Sequence, residues 1–110
     1  MKYLCLVYLE ADKMRAVPDS ECMACGNDLR DAGVLVAAEA LEAVDTATTV
    51  RVRQGRPTFT DGPFAETKEQ LAGFYLIDAE NLDEALRLAS KIPPAREGSV
   101  EVRPVRQFAP

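Results

Sequence analysis

Residues 2–9 are apolar on both alternating faces, with Tyr3, Cys5 and Val7 on one and Leu4, Leu6 and Tyr8 on the other. A strand apolar on both faces needs cover on both, so this segment predicts a central strand. Residues 10–18 are polar and end at Pro18, which predicts a loop. Cys22, Cys25, Leu29 and Ala32 then recur at i, i+3, i+7 and i+10, the spacing of one helix face. Asp19 or Ser20 can cap that helix and Gly33 can stop it. Gly26 lies inside it and weakens it by about 1 kcal/mol relative to alanine. Val34 to Ala38 predicts a second strand, leading to Glu39.

The pattern then changes period. In residues 48–53 Val50 and Val52 face one way and Arg51 and Arg53 the other, the alternation of a half-covered strand. Gln54-Gly55 turns the chain toward Thr58-Phe59-Thr60, which predicts a short hairpin. Leu71 to Ile77 is again apolar on both faces, and Gly73 within it signals a bulge or a close backbone approach. Asn81 with Glu84 three residues on forms a capping box ahead of a helix whose apolar stripe is Leu82, Ala85, Leu86 and Ala89. Pro93-Pro94 ends that helix. Val100 and Val102 mark a last strand, closed by Pro104. With the hairpin set aside, the order is βαββαβ, an α+β ferredoxin-like pattern with both helices on one face of an antiparallel sheet. The opposite face carries the second apolar set of the first strand and of Leu71 to Ile77. Left wet it would be costly, so sheet-to-sheet homodimerisation is expected.

Composition narrows the function classes. The 110 residues fit one domain, residues 1–110, large enough to bury a core without disulfides or a structural metal. The net charge of −5 argues against binding nucleic acid or an anionic membrane surface. No apolar run reaches the roughly 20 residues that cross a bilayer, and residues 3–9 are too short for a signal segment, so a cytoplasmic location is expected. The three cysteines, Cys5, Cys22 and Cys25, have no framework spacing and fit reduced thiols. Cys22-Met23-Ala24-Cys25 has C-x-x-C spacing, but both thiols sit on the helix's apolar stripe, which favours small buried residues over a redox or zinc pair. No cofactor and no metal is expected.

The densest chemistry lies in Asp61-Gly62-Pro63-Phe64-Ala65-Glu66-Thr67-Lys68-Glu69, followed by Gly73-Phe74-Tyr75. Met1-Lys2-Tyr3-Leu4, Ala32-Gly33-Val34-Leu35-Val36, Glu39-Ala40-Leu41, Thr48-Thr49-Val50-Arg51, Ile92-Pro93 and Val100-Glu101-Val102-Arg103-Pro104 accompany it in order. Together these segments resemble the YCII-related, or DGPF-domain, family over nearly the whole chain. The resemblance implies a ferredoxin-like subunit that forms a dimeric α+β barrel. It also implies a small cleft between the sheet and the hairpin region, with Asp61 close by. Some relatives in the wider family are enzymes that act on small aromatic or halogenated compounds through a His–Asp pair. This chain has no histidine, so only the Asp side can be matched, to Asp61. DGPF proteins are also linked with extracytoplasmic-function sigma factors, which implies a regulatory partner.

The residues themselves leave two readings for Asp61. It is a general base or ligand-orienting carboxylate, or it fixes its own Asp-Gly-Pro turn. Glu39 follows an apolar strand and can face Asp61; two close carboxylates raise one pKa and suit an acid–base pair. Arg51 and Arg53 project from one hairpin face, where an arginine fork holds a small anionic molecule or protects an edge. Tyr8 and Tyr75 offer hydroxyls to a cleft or pack in the core. Phe64 and Lys68 complete the ligand-binding candidates, whereas Glu66 and Glu69 read as a solvated loop. The resulting expectation is a small-molecule-binding or accessory protein, with a sigma factor as a further partner. The alternative is a lyase or isomerase in which Asp61 abstracts a proton, Glu39 shares it and Arg51 holds an anionic substrate. A purely structural dimerisation module is the third reading.

Overall fold

The computed structural model describes residues 1–109. In chain order the elements are β1 (Lys2–Glu10), α1 (Asp19–Asp31), β2 (Leu35–Ala40), β3 (Thr48–Arg53), β4 (Arg56–Asp61), β5 (Glu69–Asp78), α2 (Leu82–Ala89) and β6 (Ser99–Pro104). One antiparallel sheet has the order β2-β5-β1-β6, and β3 and β4 form a separate two-stranded sheet. With β3–β4 set aside, this order and connectivity are those of the ferredoxin-like α+β fold. No helix among the described residues is long and apolar enough to cross a membrane.

The core lies on one face of the larger sheet. Tyr3, Cys5, Val7 and Leu9 of β1 are sealed there, in register with Ile77, Tyr75 and Gly73 of β5 and with Val100 and Val102 of β6. Leu29 of α1, Ala85, Leu88 and Ala89 of α2, and Ile92 cover them. The alternate residues Leu4, Leu6, Tyr8, Phe74 and Leu76 remain half-exposed on the other face. Both apolar faces of β1 were expected to be covered; a single chain covers one.

Local chemistry sets the element ends. Gly33 takes φ +77°, and the N–H groups of Gly33 and Val34 reach back to the carbonyls of Arg30 and Leu29. This Schellman arrangement closes α1. Its start differs from expectation: extended Pro18 holds the cap position without a side-chain cap, and Asp19 is the first helical residue. Asp19 and Glu21 there still favour the positive helix end. The covered stripe of α1 is centred on Gly26 and Leu29, with Cys22 and Cys25 half-buried and Ala32 exposed beyond the last turn. In α2 the Asn81 side chain accepts the Glu84 N–H at 2.9 Å. Its sealed residues are Ala85, Leu88 and Ala89, whereas Leu82 and Leu86 of the expected stripe are exposed. The helix is rotated so that two alanines meet the sheet closely and Leu88 fills the remaining space.

Gly73 meets both expectations drawn from it. The β1–β5 register slips between Val7 and Tyr8, directly opposite it. A Cβ at Gly73 would stand 2.8 Å from the Glu39 carbonyl oxygen. In the hairpin, Gln54 (φ +51°) and Gly55 (φ +75°) form the two-residue turn, the pair of positive φ values that matches strand twist. β4 is longer than Thr58-Phe59-Thr60 and runs from Arg56 to Asp61.

Candidate functional site

A cleft of about 1100 Å³ opens on the helix-covered side, between α1, the loop before it, and strands β2 and β5. Its walls are short where a larger side chain would fill the gap: Gly26 on α1, Ala38 and Ala40 on β2, Ala72 and Gly73 on β5. Gly26 is buried, yet a Cβ built on it meets nothing within 4 Å. The mid-helix glycine therefore faces open space, which accounts for a residue that otherwise only weakens the helix.

Tyr75 lines the cleft, 8% exposed, and its hydroxyl donates to the Cys22 carbonyl at 3.3 Å. Burial holds its pKa well above the usual phenol range, so it is a neutral hydrogen-bonding group. The Cys22 thiol beside it is pushed up by burial and then by Asp19 and Glu21. Cys25 is raised by burial, then by Cys22 and Asp28, and Cys5 is pushed up to about 11 by burial. These are the opposite of the electropositive surroundings that make a thiol reactive. Among the described residues, no group of three or more His, Cys, Asp or Glu side chains is placed to hold a metal ion.

Charges of both signs line the cleft. Arg15 and Arg30 are exposed on it, and neither is within ion-pair distance of a carboxylate among the described residues. Arg30 is oriented by a 2.9 Å hydrogen bond that it donates to Asn27. Asp19, Glu39 and Glu42 supply carboxylates. Guanidinium forks can hold an acidic group, and the carboxylates can accept from hydroxyls.

The residues singled out from the sequence fall into three places. Glu39 lines the cleft from edge strand β2, in register with Phe74. Tyr8 is half-buried on the sheet's open face, opposite Leu71 and Ser99, and Lys68 pairs nearby with Glu10 at 3.1 Å. Asp61, Arg51 and Phe64 belong to the hairpin and the segment after it. None of Asp61, Arg51, Phe64, Tyr8 or Lys68 lines the cleft. Glu39 and Asp61 stand on separate sheets, and of the two only Glu39 lines the cleft.

Asp61 ends β4 opposite Thr48, exposed, and no described group donates to its carboxylate. The turn after it is held by other atoms. Gly62 (φ +105°) donates its N–H to the Ala47 carbonyl at 2.7 Å, and its carbonyl accepts the Thr49 hydroxyl at 2.9 Å. The Arg51 guanidinium lies 5.9 Å from the centroid of the Phe64 ring, at the outer limit of a cation–π contact. The small cleft implied between the sheet and the hairpin region, with Asp61 close by, is not where this cleft opens: α1, the loop before it, β2 and β5 line it, and sequence reasoning singled out neither that place nor Arg15 and Arg30. The only local signal was Gly26, whose cost to the helix had no visible return.

Comparison with known proteins places the chain. The profile of the YCII-related domain matches residues 1–109. An uncharacterized protein of Rhizobium meliloti (strain 1021) is 48% identical over 82 residues, 73% of this chain and 66% of that protein's length. Among solved structures, 5-chloro-2-hydroxyhydroquinone dehydrochlorinase from Burkholderia phenoliruptrix AC1100, in complex with 2,5-dihydroxybenzoquinone, aligns with a TM-score of 0.58. The alignment covers 98% of this chain and 96% of that one at 13% identity, a likeness of fold.

Proposed function

The chain belongs to the YCII-related domain family, and from that premise we propose that it binds a small, oxygenated ring compound bearing negative charge in the helix-side cleft. The observation that carries this reading is a buried glycine, Gly26, opening onto a large cleft with two arginines free of carboxylate partners among the described residues. Concave, largely apolar spaces with a few convergent polar groups are where small ligands bind. Arg15 and Arg30 hold the acidic group, the Tyr75 ring lines the apolar wall, and Glu39 and Glu42 accept from ring hydroxyls. The bound ring in the similarly folded dehydrochlorinase fits this size and chemistry. The half-exposed Leu4, Leu6, Phe74 and Leu76 support a homodimer that covers the open sheet face.

The test uses 2,5-dihydroxybenzoquinone and simple hydroxybenzoates as probes in calorimetry and thermal unfolding. Ligand at about 100 times its dissociation constant adds roughly 2.7 kcal/mol of stability. Gly26→Phe fills the cleft and abolishes that gain while the unliganded protein still folds; Arg30→Ala weakens it. If no probe binds the native chain, or Gly26→Phe binds as well as the native chain, the cleft reading is lost.

A catalytic reading, with Asp61 as general base in a lyase or isomerase, is favoured by one observation, the fold shared with a dehydrochlorinase. It requires Asp61 to meet a bound ring, which one chain does not arrange. Turnover of a probe that Asp61→Asn abolishes would establish it over simple binding.

A further inference from the structure

The cleft is larger than the ring assigned to it. Pockets that enclose whole drug-sized molecules measure about 300–1,000 Å³. This one opens to about 1100 Å³. A single substituted ring leaves most of that space unfilled, and apolar lining left wet is a cost that a larger ligand removes.

The lining is ordered from end to end. On α1 it takes Asp19, Cys22, Met23, Gly26, Asn27 and Arg30, which share one helix stripe. Met23 and Arg30 stand about 10 Å apart along the axis from the helical rise. The tight turn at Gly33 reverses the chain between α1 and β2. Arg30 therefore stands toward Leu35, at the start of β2, and the first turns of α1 stand toward Leu41, just past its end. Leu41 continues the pairing with β5 by donating its N–H to the Ala72 carbonyl at 2.9 Å.

The Arg30 end is polar, with the guanidinium oriented by Asn27. The middle is walled by Gly26, Ala38 and Ala72, which leaves room for a flat ring. The far end is apolar. Leu9 and Val17 are sealed at this end, Met14 is half-buried, and Met23 and Leu41 line it from opposite walls. Met23 is 68% and Leu41 47% exposed, so two large apolar side chains flank an apolar floor with nothing between them among the described residues. Arg15, Asp19 and Glu42, next to these residues in the chain, are exposed, as the polar rim of an apolar binding surface is. Methionines suit such a place, because their unbranched side chains adapt to the shape of what they cover.

We infer that the ligand is an amphipathic aromatic acid, with its acid group at Arg30, its ring over Gly26 and an apolar tail running between Met23 and Leu41. This rests on the reading of the cleft given above and names the class within it: alkyl- or acyl-bearing ring acids rather than bare hydroxylated rings. Of the two arginines, Arg30 fixes which end of the ligand lies deepest toward β2, and Arg15 reaches the acid from the rim. Met23 and Leu41 set the tail that fits.

The probes are 4-hydroxybenzoate and the 4-alkoxybenzoates from methoxy to octyloxy, titrated into the chain by calorimetry below the concentrations at which the long members form micelles. Affinity rises about fourfold per methylene over the first several carbons, the worth of one buried methylene, and levels off once the tail passes the rim. Met23→Glu, at an exposed helix position, keeps the circular dichroism spectrum and flattens this dependence on length; Leu41→Glu does so from the opposite wall. Arg30→Ala weakens every member by a similar factor. If 4-hydroxybenzoate binds, Gly26→Phe abolishes that binding and no affinity is gained with length, the tail is overturned and the cleft reading stands. An undiminished dependence on length in both Met23→Glu and Leu41→Glu puts the tail elsewhere and also overturns it. If no member of the series binds, both readings fall.

Discussion

The central strands and the hairpin each carry an alternating apolar set, and the two sets meet opposite fates. In β1 and β5, one alternating set is sealed: Cys5 is 0% and Ile77 1% exposed. In β3 and β4 the equivalent set is the exposed one, with Phe59 at 70%. The difference lies in the surroundings, since β1 and β5 sit under α1 and α2 while the hairpin has only itself. Alternation along a strand marks a face to be covered. It does not say what covers it. The body of the molecule completes its pattern within the chain; the hairpin leaves its pattern open.

The largest test of that contrast pairs two truncations. Ile77→Ala leaves a cavity in the sealed core and costs about 2–5 kcal/mol, read from the urea midpoint. Val52→Ala, at concentrations where the chain is monomeric, costs less than about 1 kcal/mol, because the valine has little covered surface to lose. A comparable loss at both positions would mean that the hairpin packs on its own body, and the contrast would collapse.

Two glycines sharpen the comparison within the body itself. A Cβ at Gly73 would stand 2.8 Å from the Glu39 carbonyl oxygen on β2, so Gly73→Ala drives a methyl group against that backbone and costs about 1–3 kcal/mol. Gly26 lies where α1 and the sheet stand apart, so Gly26→Ala meets nothing and gains about 0.5–1 kcal/mol from helix propensity. Thermal or urea unfolding of the pair measures the two signs directly. A destabilised Gly26→Ala would show that the helix closes over the cleft in solution.

What was legible in the sequence was local. Gly33, Asn81 and Gln54-Gly55 each act through their own backbone or the next few residues, and each ends or caps the element it was expected to. Gly73 was legible because a glycine in an apolar strand has few other reasons to be there. The rotation of α2, which seals Leu88 and exposes Leu82 and Leu86, was not legible; Leu82, Ala85, Leu86 and Leu88 all lie within reach of one broad apolar stripe. The cleft was hidden for a stronger reason. It exists because α1, β2 and β5, distant in sequence, all present small residues at one place, and no window along the chain contains that coincidence.

Asp61 sits at the boundary between the two regions, and the smallest predicted effect decides its role. Two explanations were open: a carboxylate that builds its turn, or one kept for something outside it. A turn-building aspartate accepts N–H groups of the following residues, and losing its charge removes those bonds at a cost of about 0.5–2 kcal/mol. In the structure that work is done instead by Ala47 and Thr49, which hold the Gly62 N–H and carbonyl. Asp61→Asn in the monomer should therefore shift stability by less than about 0.5 kcal/mol, the range of an exposed substitution. Thr49→Val, which removes the hydroxyl that does hold the turn, should cost about 1 kcal/mol. Urea unfolding of the two variants at the same dilution compares them. If Asp61→Asn proves the costlier, the carboxylate belongs to the fold. If the order is as expected, the hairpin holds its shape without the charge, and the charge is left for a ligand or a second subunit to meet.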